Sequence, residues 1–440
     1  MVPQSAVALA LADTLLSRDN SITAMAAAAA WAFDAPLPWM PGLCAAIVER
    51  CGAHFHSFSR QELAAIILEH EAFRAAFAPG KPPPQIVRYC IDAPILPPSP
   101  PWLSALALPA LPGVGDLARW LDARPDELEW LANKWRVPLT VETPLQHYHY
   151  RWVAKRSGGS RLIEIPKKRL RLIQRKILRG ILDLVPPHPA AHGFRRGRSC
   201  VTHAALHTGR QVVLRMDLKD FFPSIPASRI QAMFAVLGFS SGVAGVLARL
   251  CVNRTPTGAV RTSPAALSFA ERHALRTPHL PQGSPCSPAL ANACAYRLDL
   301  RLDALAESMQ ASYSRYADDL VFSGGSELAR ALDRFHIQVA AIALEEGFQV
   351  NTRKTRTMRQ GTRQEVTGVV VNRHANVARA QFDELKAVLT NCVRHGPESQ
   401  SRAGRENFRA WLTGKVAYVA MVNPARGARL EKLLHAIVWP

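Results

Sequence analysis

The sequence has no uninterrupted apolar run of 18 residues, so no segment has the length and polarity of a membrane-spanning helix. It also lacks CxxC pairs. The eight cysteines are scattered singly, which disfavours a disulfide framework and indicates reduced thiols. The first residues carry no positive cluster ahead of an apolar core, so no signal peptide is expected. These absences predict a cytoplasmic protein with no membrane partner.

Acidic residues are scarce relative to basic ones. Asp and Glu number 34 against 54 Lys and Arg, which leaves a net charge of +20 and predicts a polyanionic partner such as nucleic acid. The excess is concentrated between Lys155 and Arg179, where ten basic residues face Glu164 alone. A solvated helix face explains a few of these residues, and phosphate contact is the favoured interpretation of the rest.

The chain divides by composition. Residues 1–80 are rich in Ala, Leu and Glu and predict helices, whereas residues 79–113 form a Pro-rich connector. Two more helices follow, the second opening at Pro125. Residues 148–180 predict two strands around a Ser-Gly-Gly turn and then a helix, and the basic tail from residue 373 has a helical pattern.

Three segments contain residues suited to catalysis. In "QVVLRMDLKDFFPSI" an apolar strand runs into Asp217, and in "SYSRYADDLVFSG" a predicted hairpin has Asp318 and Asp319 at its tip. In "LPQGSPCSPALAN" a turn with Gly283 opens a long helix, for which Ser287 is a suitable start. Taken singly, each segment could be an ordinary turn or a well-capped helix.

Together the three aspartates predict a metal site. Asp217, Asp318 and Asp319 at strand ends of one sheet would offer hard oxygen ligands to Mg²⁺. Two such ions about 4 Å apart can activate an attacking hydroxyl and stabilise the leaving oxygen in phosphoryl transfer. The metal ions would also offset the cost of placing two adjacent acids in an apolar run.

In this order the motifs resemble those of the reverse transcriptases, specifically the bacterial retron type. "YADD", "MDLKDFFPSI" and "LPQGSPCSPALAN" resemble the catalytic boxes of the polymerase, and "GFQVNTRKTRTM" resembles the motif that follows them. "VTGVVVN" and "AAHGFRRGRSCVTHAALH" resemble two retron segments, although His203 stands where the second pattern has Asn. The resemblance covers roughly residues 115–440.

The resemblance implies an α+β fold of the right-hand polymerase type, with fingers, an antiparallel-sheet palm and a helical thumb. Residues 1–114 would be a helical extension with the Pro-rich connector, and 115–210 the first helices and fingers. Residues 211–372 would be the palm with inserted finger elements, and 373–440 the thumb.

The same resemblance implies roles for individual residues. Asp217, Asp318 and Asp319 would hold two Mg²⁺ ions. Phe222 would exclude a nucleotide 2′-hydroxyl, with ordinary core packing as the alternative. Gln282 and Gly283 would contact the nucleotide or template, and Lys155 and Arg161 would bind the triphosphate. Lys354 would be a general acid, with a plain surface lysine as the alternative. The residues implied in RNA or primer contact are His203, His207, Thr367 and Gly368. The spacing of the two histidines could also suggest a metal site, but without a third ligand packing or RNA contact is favoured. A strand connection is the alternative for Thr367 and Gly368.

The implied reaction copies a structured non-coding RNA into a short DNA with deoxynucleotides, giving a branched RNA–DNA product, in antiphage defence with a separately encoded effector. A non-retron bacterial reverse transcriptase is the first alternative, such as a group II intron enzyme or another defence-associated one. An RNA-binding scaffold without activity is the second, against which the three aspartates argue.

Overall fold

The protein is described by a computed structural model that covers residues 3–58, 60–80, 82–90, 92, 101–132, 145–155, 158–401 and 407–439. The chain forms two compact units, the first made of residues 1–186 and 225–290 and the second of residues 187–224 and 291–440. Within the described ranges, every helix is too short or too polar to cross a bilayer.

The first unit begins with a helical cluster, as the Ala-rich composition predicts. Ser21 accepts a hydrogen bond from the Ala24 N–H and thereby caps the second helix. Trp39 packs edge-on against Phe33 and Phe73, with ring centroids 5.5 and 5.2 Å apart. The buried faces form one hydrophobic core. The helices are α1 (Gln4–Leu16), α2 (Ile22–Phe33), α3 (Met40–Cys51), α4 (Arg60–Glu69) and α5 (Glu71–Ala75).

The rest of the first unit combines short helices with one hairpin. The strands of the hairpin pair antiparallel from Tyr148 opposite Pro166 to Ala154 opposite Ser160, and Gly158 and Gly159 of the predicted turn have positive φ. Ser157 of that turn lies outside the described residues. Part of the Pro-rich connector lies outside the described residues. The elements are α6 (Pro101–Ser104), α7 (Val114–Trp120), α8 (Pro125–Ala132), β1 (Tyr148–Ala154), β2 (Ser160–Pro166), α9 (Lys168–Gly180), α11 (Ala227–Val236), α12 (Ser241–Cys251), α13 (Thr257–Arg261) and α14 (Phe269–Arg276).

A four-stranded antiparallel sheet forms the centre of the second unit, as predicted for this part of the chain. Its strand order is β4-β5-β3-β6. The apolar run before Asp217 is buried on both faces of the sheet, which explains its nearly continuous hydrophobicity. The strands are β3 (Val212–Asp217), β4 (Ser312–Tyr316), β5 (Asp319–Gly324) and β6 (Arg356–Arg359), and α10 (Cys200–Ala205) precedes them.

Helices complete the second unit. The helix expected to run from Ser287 through residue 305 is interrupted at Ala295, whose ψ of 1° leaves the helical range. A short hairpin and the C-terminal helices pack on one buried cluster that includes Val213 and Val321 of the sheet. The helix α15 (Ser287–Cys294) spans the boundary at residue 290. The other elements are α16 (Tyr296–Ser308), α17 (Ser326–Glu345), β7 (Glu365–Val366), β8 (Val369–Val370), α18 (Arg379–His395), α19 (Phe408–Val422) and α20 (Pro424–His435).

Candidate active site

The three predicted aspartates meet at one end of the four-stranded sheet. Asp217 ends β3 and Asp319 begins β5, and these two residues are direct partners in the antiparallel register. Asp318 lies in the two-residue turn between β4 and β5, so the predicted hairpin is confirmed. The Asp318 carbonyl accepts a hydrogen bond from the Leu218 N–H at 2.8 Å. The backbone of β3 therefore fixes the turn beside Asp217.

Basic side chains pair with two of the three carboxylates. The Arg215 guanidinium donates to both oxygens of Asp319, from Nε at 3.0 Å and from Nη2 at 2.7 Å. The Lys354 ammonium donates to both oxygens of Asp217 at 2.9 and 3.0 Å. The Asn351 N–H also donates to the Asp217 carbonyl at 2.7 Å, which holds the Lys354 segment against β3.

Asp318 differs from its two neighbours. Among the described residues, no side chain donates a hydrogen bond to its carboxylate. Burial raises the pKa of Asp318, and the negative charges of Asp217 and Asp319 raise it further. A divalent cation at this point would offset the crowded negative charge.

The donor set suits Mg²⁺, because three carboxylates on adjacent strands supply the hard oxygen ligands that this ion prefers. In the described part of the chain, however, no group of three His, Cys, Asp or Glu side chains is already gathered as a metal site. Arg215 and Lys354 occupy the oxygens of two of the aspartates instead. The residues fit the ion in chemistry, and binding would exchange these ion pairs for metal contacts.

A buried polar network supports the turn, and sequence reasoning missed it. The fully buried Arg315 guanidinium donates to both Asp299 oxygens at 2.7 and 2.6 Å. Its Nη1 donates to the Ala317 carbonyl in the turn and to Asn292 Oδ1, both at 3.1 Å. Tyr313 donates to Asp299 at 2.8 Å. Arg315 therefore ties the turn to α15 and α16.

The loop before α10 packs against the same turn. A Cβ atom on Gly193 would lie 2.4 Å from the Ala317 nitrogen, so only glycine allows this approach. The Asn292 amide donates to the Gly193 carbonyl at 3.0 Å and holds the loop in place. The next residue, Phe194, is 47% exposed, and its ring lies 5.9 Å from the half-buried ring of Phe222.

The predicted nucleotide-binding residues of the first unit are organised around β2. The Glu164 N–H of β2 donates to the Gln282 carbonyl at 2.8 Å. A Cβ atom on Gly283, whose φ is +132°, would lie 2.8 Å from the Glu164 carbonyl oxygen. Lys155 follows β1, and the exposed Arg161 lies on β2 opposite Val153. The turn that carries Gln282 and Gly283 is thus fastened to the predicted finger hairpin.

A buried ion pair anchors that strand. The Glu164 carboxylate accepts hydrogen bonds from His279 Nε2 at 2.9 Å, Asn253 at 2.8 Å and Thr255 at 2.9 Å. Burial opposes charge on both partners, but their mutual attraction and these hydrogen bonds outweigh it. The pKa of Glu164 is therefore lowered, and the pKa of His279 is raised.

Comparison with known proteins finds one matching family and several similar proteins. The reverse transcriptase (RNA-dependent DNA polymerase) family matches residues 153–371, a segment that includes all three aspartates. The retron Mx65 reverse transcriptase of Myxococcus xanthus is 42% identical over 289 residues, which are 66% of this chain and 64% of the relative. Over about two thirds of its length the chain is therefore similar to a retron reverse transcriptase.

Two further similar proteins are also described as retron reverse transcriptases. The retron Mx162 reverse transcriptase of Myxococcus xanthus is 36% identical over 71% of this chain and 64% of its own length. The retron Ec86 reverse transcriptase of Escherichia coli is 29% identical over 62% of this chain and 78% of its own length. The chain thus spans about 64% of each of the two Myxococcus relatives.

The two histidines of the retron-like segment are packing residues in this structure. His203 and His207 are fully buried, and the His203 ring lies 5.6 Å from Tyr316 of the aspartate hairpin. His207 bridges the Ser323 and Ser314 hydroxyls, each at 2.7 Å. Burial lowers the pKa of His203 to about 3, so the ring is neutral. Neither ring reaches the surface, so the expectation of direct RNA contact by these histidines is corrected to packing within the protein.

Thr367 and Gly368 form the tight turn between β7 and β8, with φ values of +47° and +83°. Thr367 Oγ1 donates to the Cys200 carbonyl at 3.2 Å, and Gly368 is exposed. The strand connection in the retron-like "VTG" segment is therefore observed. A contact of Gly368 with primer or RNA remains a prediction.

Some residues of the basic segment between Lys155 and Arg179 form ion pairs within the protein. Arg169 of α9 donates to both oxygens of Glu127, and Lys176 lies 2.5 Å from Asp122. Other basic side chains of α9 are exposed, namely Lys168, Arg175 and Arg179. The apolar face of α9, with Leu170 and Ile173, is buried. Ion pairs within the protein account for two of the ten basic residues, and phosphate contact remains the prediction for the exposed ones.

Proposed function

We propose that this protein is an RNA-directed DNA polymerase that adds deoxynucleotides to a 3′ or 2′ hydroxyl on an RNA template and releases pyrophosphate. One observation carries the proposal: Asp217, Asp318 and Asp319 converge at one sheet end within the segment that matches the reverse transcriptase family. The names of the retron relatives support the choice of RNA as template.

Asp217, Asp318 and Asp319 would hold two Mg²⁺ ions. When bound, the ions supply charge that activates the attacking hydroxyl and stabilises the leaving oxygen. Lys354 is 47% exposed at its side chain and already contacts Asp217, so it is available to protonate the pyrophosphate leaving group. Arg215 holds both oxygens of Asp319 in this structure and would release them when the metal binds.

Five further residues would take part in nucleotide recognition. The half-buried ring of Phe222 would exclude a ribose 2′-hydroxyl. Lys155 and Arg161 would bind the triphosphate, and Gln282 and Gly283 would contact the nucleotide or template. Support for these assignments comes from the motif resemblance and from the hydrogen bond between β2 and Gln282.

The retron relationship supports a narrower biological proposal. The template and primer would be a structured non-coding RNA, the product a short branched RNA–DNA, and the setting antiphage defence in the cytoplasm with a separate effector protein. In this proposal, residues 1–114 form an extension, 115–210 the first helices and fingers, 211–372 the palm and 373–440 the thumb. The net charge of +20 suits a nucleic-acid partner.

Primer extension on an RNA template with Mg²⁺ and deoxynucleotides tests the polymerase. The double variant Asp318→Asn, Asp319→Asn should reduce incorporation at least about a thousandfold, because both carboxylates would lose their charge. Asp333→Asn changes an exposed acid on α17 and should leave incorporation unchanged. An independent measurement is Mn²⁺ binding by electron paramagnetic resonance, which the double variant should weaken.

The outcomes separate the alternatives. Incorporation that survives in the double variant would contradict the polymerase assignment. Wild-type protein that binds RNA but incorporates no nucleotide would favour the scaffold. Sequencing of copurifying nucleic acid tests the narrower proposal, which requires a short DNA branched from one RNA.

A further inference from the structure

Phe194 has an unusual backbone conformation for a large aromatic residue. Eight non-glycine residues of the described chain have positive φ, and Phe194 is the only aromatic among them, with φ of +60°. A positive φ is sterically costly for residues with bulky side chains, and such residues are often found at functional sites. The side chain is also 47% exposed, so burial of the ring in the core does not offset the cost.

The surroundings hold Phe194 in that conformation. Its neighbour Gly193 packs with no room for a Cβ atom against the nitrogen of Ala317, next to Asp318. Asn292 binds the Gly193 carbonyl and also accepts from Arg315, the buried residue that supports the same turn. The loop and the aspartate turn are therefore fixed to each other, and Phe194 projects from that fixed point.

The exposed ring of Phe194 contacts one other aromatic ring. Its centroid lies 5.9 Å from that of Phe222 at an interplanar angle of 51°. The ring of Phe222 also packs against the ring of Phe221, with the centroids 5.7 Å apart. Phe221 is held by Phe348 at 5.5 Å and by the Arg315 guanidinium at 5.6 Å. The ring of Phe222 thus has a buried support and an exposed support, and Phe194 is the exposed one.

We propose that Phe194 is a positioning residue that holds the ring of Phe222 and thereby sets discrimination between deoxyribonucleotides and ribonucleotides. The inference rests on the proposed function, in which Phe222 excludes the 2′-hydroxyl. A ring can exclude one extra hydroxyl only if its position is fixed to within a fraction of an ångström. Phe194 acts through Phe222 and need not touch the nucleotide itself.

The test is the selectivity of primer extension, measured as the ratio of kcat/KM for dGTP to that for GTP. Phe194→Gly removes the ring and accepts positive φ without strain, so the thermal unfolding midpoint should not fall. Selectivity should fall about three- to tenfold, the size expected for losing one aromatic contact. Phe194→Tyr keeps the ring and should retain wild-type selectivity.

A matched control separates backbone relief from the loss of the ring. Gln310 also has positive φ, +49°, and precedes β4 at the end away from the aspartate turn. Gln310→Gly should leave selectivity unchanged. A fall in selectivity in this variant equal to that of Phe194→Gly would overturn the assignment, because it would trace the effect to backbone flexibility.

A double-mutant cycle tests whether Phe194 acts through Phe222. Phe222→Ala should lose more selectivity than Phe194→Gly, and combining the two should add nothing. Unchanged selectivity in Phe194→Gly, or additive losses in the double variant, would overturn the inference. If Phe222→Ala keeps full selectivity, the gate assignment fails as well. Absence of dGTP incorporation by wild-type protein would instead refute the proposed polymerase.

Discussion

Two buried ion pairs support the two turns that matter most to the proposed activity, one in each unit. In the second unit, Arg315 and Asp299 are both fully buried, and Arg315 holds the Ala317 carbonyl of the aspartate turn. In the first unit, Glu164 and His279 are buried, and the Glu164 N–H holds the Gln282 carbonyl. The two arrangements are alike in architecture and differ in the basic partner.

That difference determines how each turn responds to pH. A guanidinium keeps its charge at every physiological pH, so the support of the aspartate turn is permanent. An imidazole is charged only below its pKa, so the support of the Gln282 turn depends on proton concentration. Both pairs also need their extra hydrogen bonds, because a buried ion pair alone does not repay its desolvation.

The largest expected effect comes from breaking the permanent pair. Arg315→Met keeps an apolar side chain of similar length but leaves the Asp299 carboxylate buried without its cation. Loss of one partner of a buried pair typically costs about 3–5 kcal/mol. We expect a fall of that size in the free energy of unfolding of the second unit, measured by urea denaturation.

The same substitution elsewhere in the unit is the control. Arg301 pairs with the exposed Glu345 and the buried Glu346, and Glu346 keeps Arg297 as a second cation, so Arg301→Met should cost much less stability than Arg315→Met. The double variant Arg315→Met, Asp299→Leu removes both charges and should recover part of the loss. Equal effects of Arg315→Met and Arg301→Met would show that the buried network is not a major support.

The contrast also shows how far sequence reasoning reaches. Asp217, Asp318 and Asp319 are predictable because their strand and turn contexts are local patterns, and the antiparallel sheet was expected from the family resemblance of the motifs that carry them. The Arg315–Asp299 pair joins a strand to a helix, and pairing across elements has no local signature. One signal was available in the sequence. Tyr313 and Arg315 are two residues apart in β4 and therefore lie on the same face of the strand, and a charge on a buried face needs a partner.

Other expectations failed or stayed open for similar reasons. His203 and His207 were expected to pack or to contact RNA, and tertiary packing buries both of them. The basic run was expected to contact phosphate, yet Arg169 and Lys176 pair with acids some 40–55 positions away in sequence. Long-range partners of this kind are visible only after folding.

A smaller effect is expected from crowding each turn at its glycine. Gly193→Ala would push a Cβ atom against the Ala317 nitrogen, and Gly283→Ala would push one against the Glu164 carbonyl. Each should lower stability by about 1–3 kcal/mol. Gly193 packs against the aspartate turn, so Gly193→Ala should mainly lower kcat for primer extension. Gly283 lies in the turn proposed to contact the nucleotide, so Gly283→Ala should mainly raise KM for the deoxynucleotide.

Glycines with open space provide the controls for this pair. No atom would lie within 4 Å of a Cβ atom on Gly361 or Gly258, and alanine at either position should preserve stability and both kinetic constants. If Gly193→Ala and Gly283→Ala changed kcat and KM in the same proportion, the two turns would not have separate roles.

The smallest effect tests the titratable pair through pH. Because the pKa of His279 is raised above 6.5, its stabilising contribution is complete below about pH 6.5 and is lost as pH rises through the folded-state pKa. Because the pKa of Glu164 is lowered below 4.5, its contribution is present above that value and lost on further acidification. The pair therefore supports the Gln282 turn most strongly between about pH 4.5 and 6.5.

Thermal unfolding between pH 5 and 9 measures this dependence. His279→Gln keeps a hydrogen-bond donor but no charge, so it should lower the unfolding midpoint at pH 5.5 by about 3–10 °C, the range for one charged hydrogen bond. Above the folded-state pKa the wild-type protein and the variant should converge. The exposed His273 offers the control, since His273→Gln should follow the wild type throughout. A constant gap between wild type and His279→Gln across this range would mean that His279 supports the turn by its shape and hydrogen bond alone, and that both turns of the site are supported independently of pH.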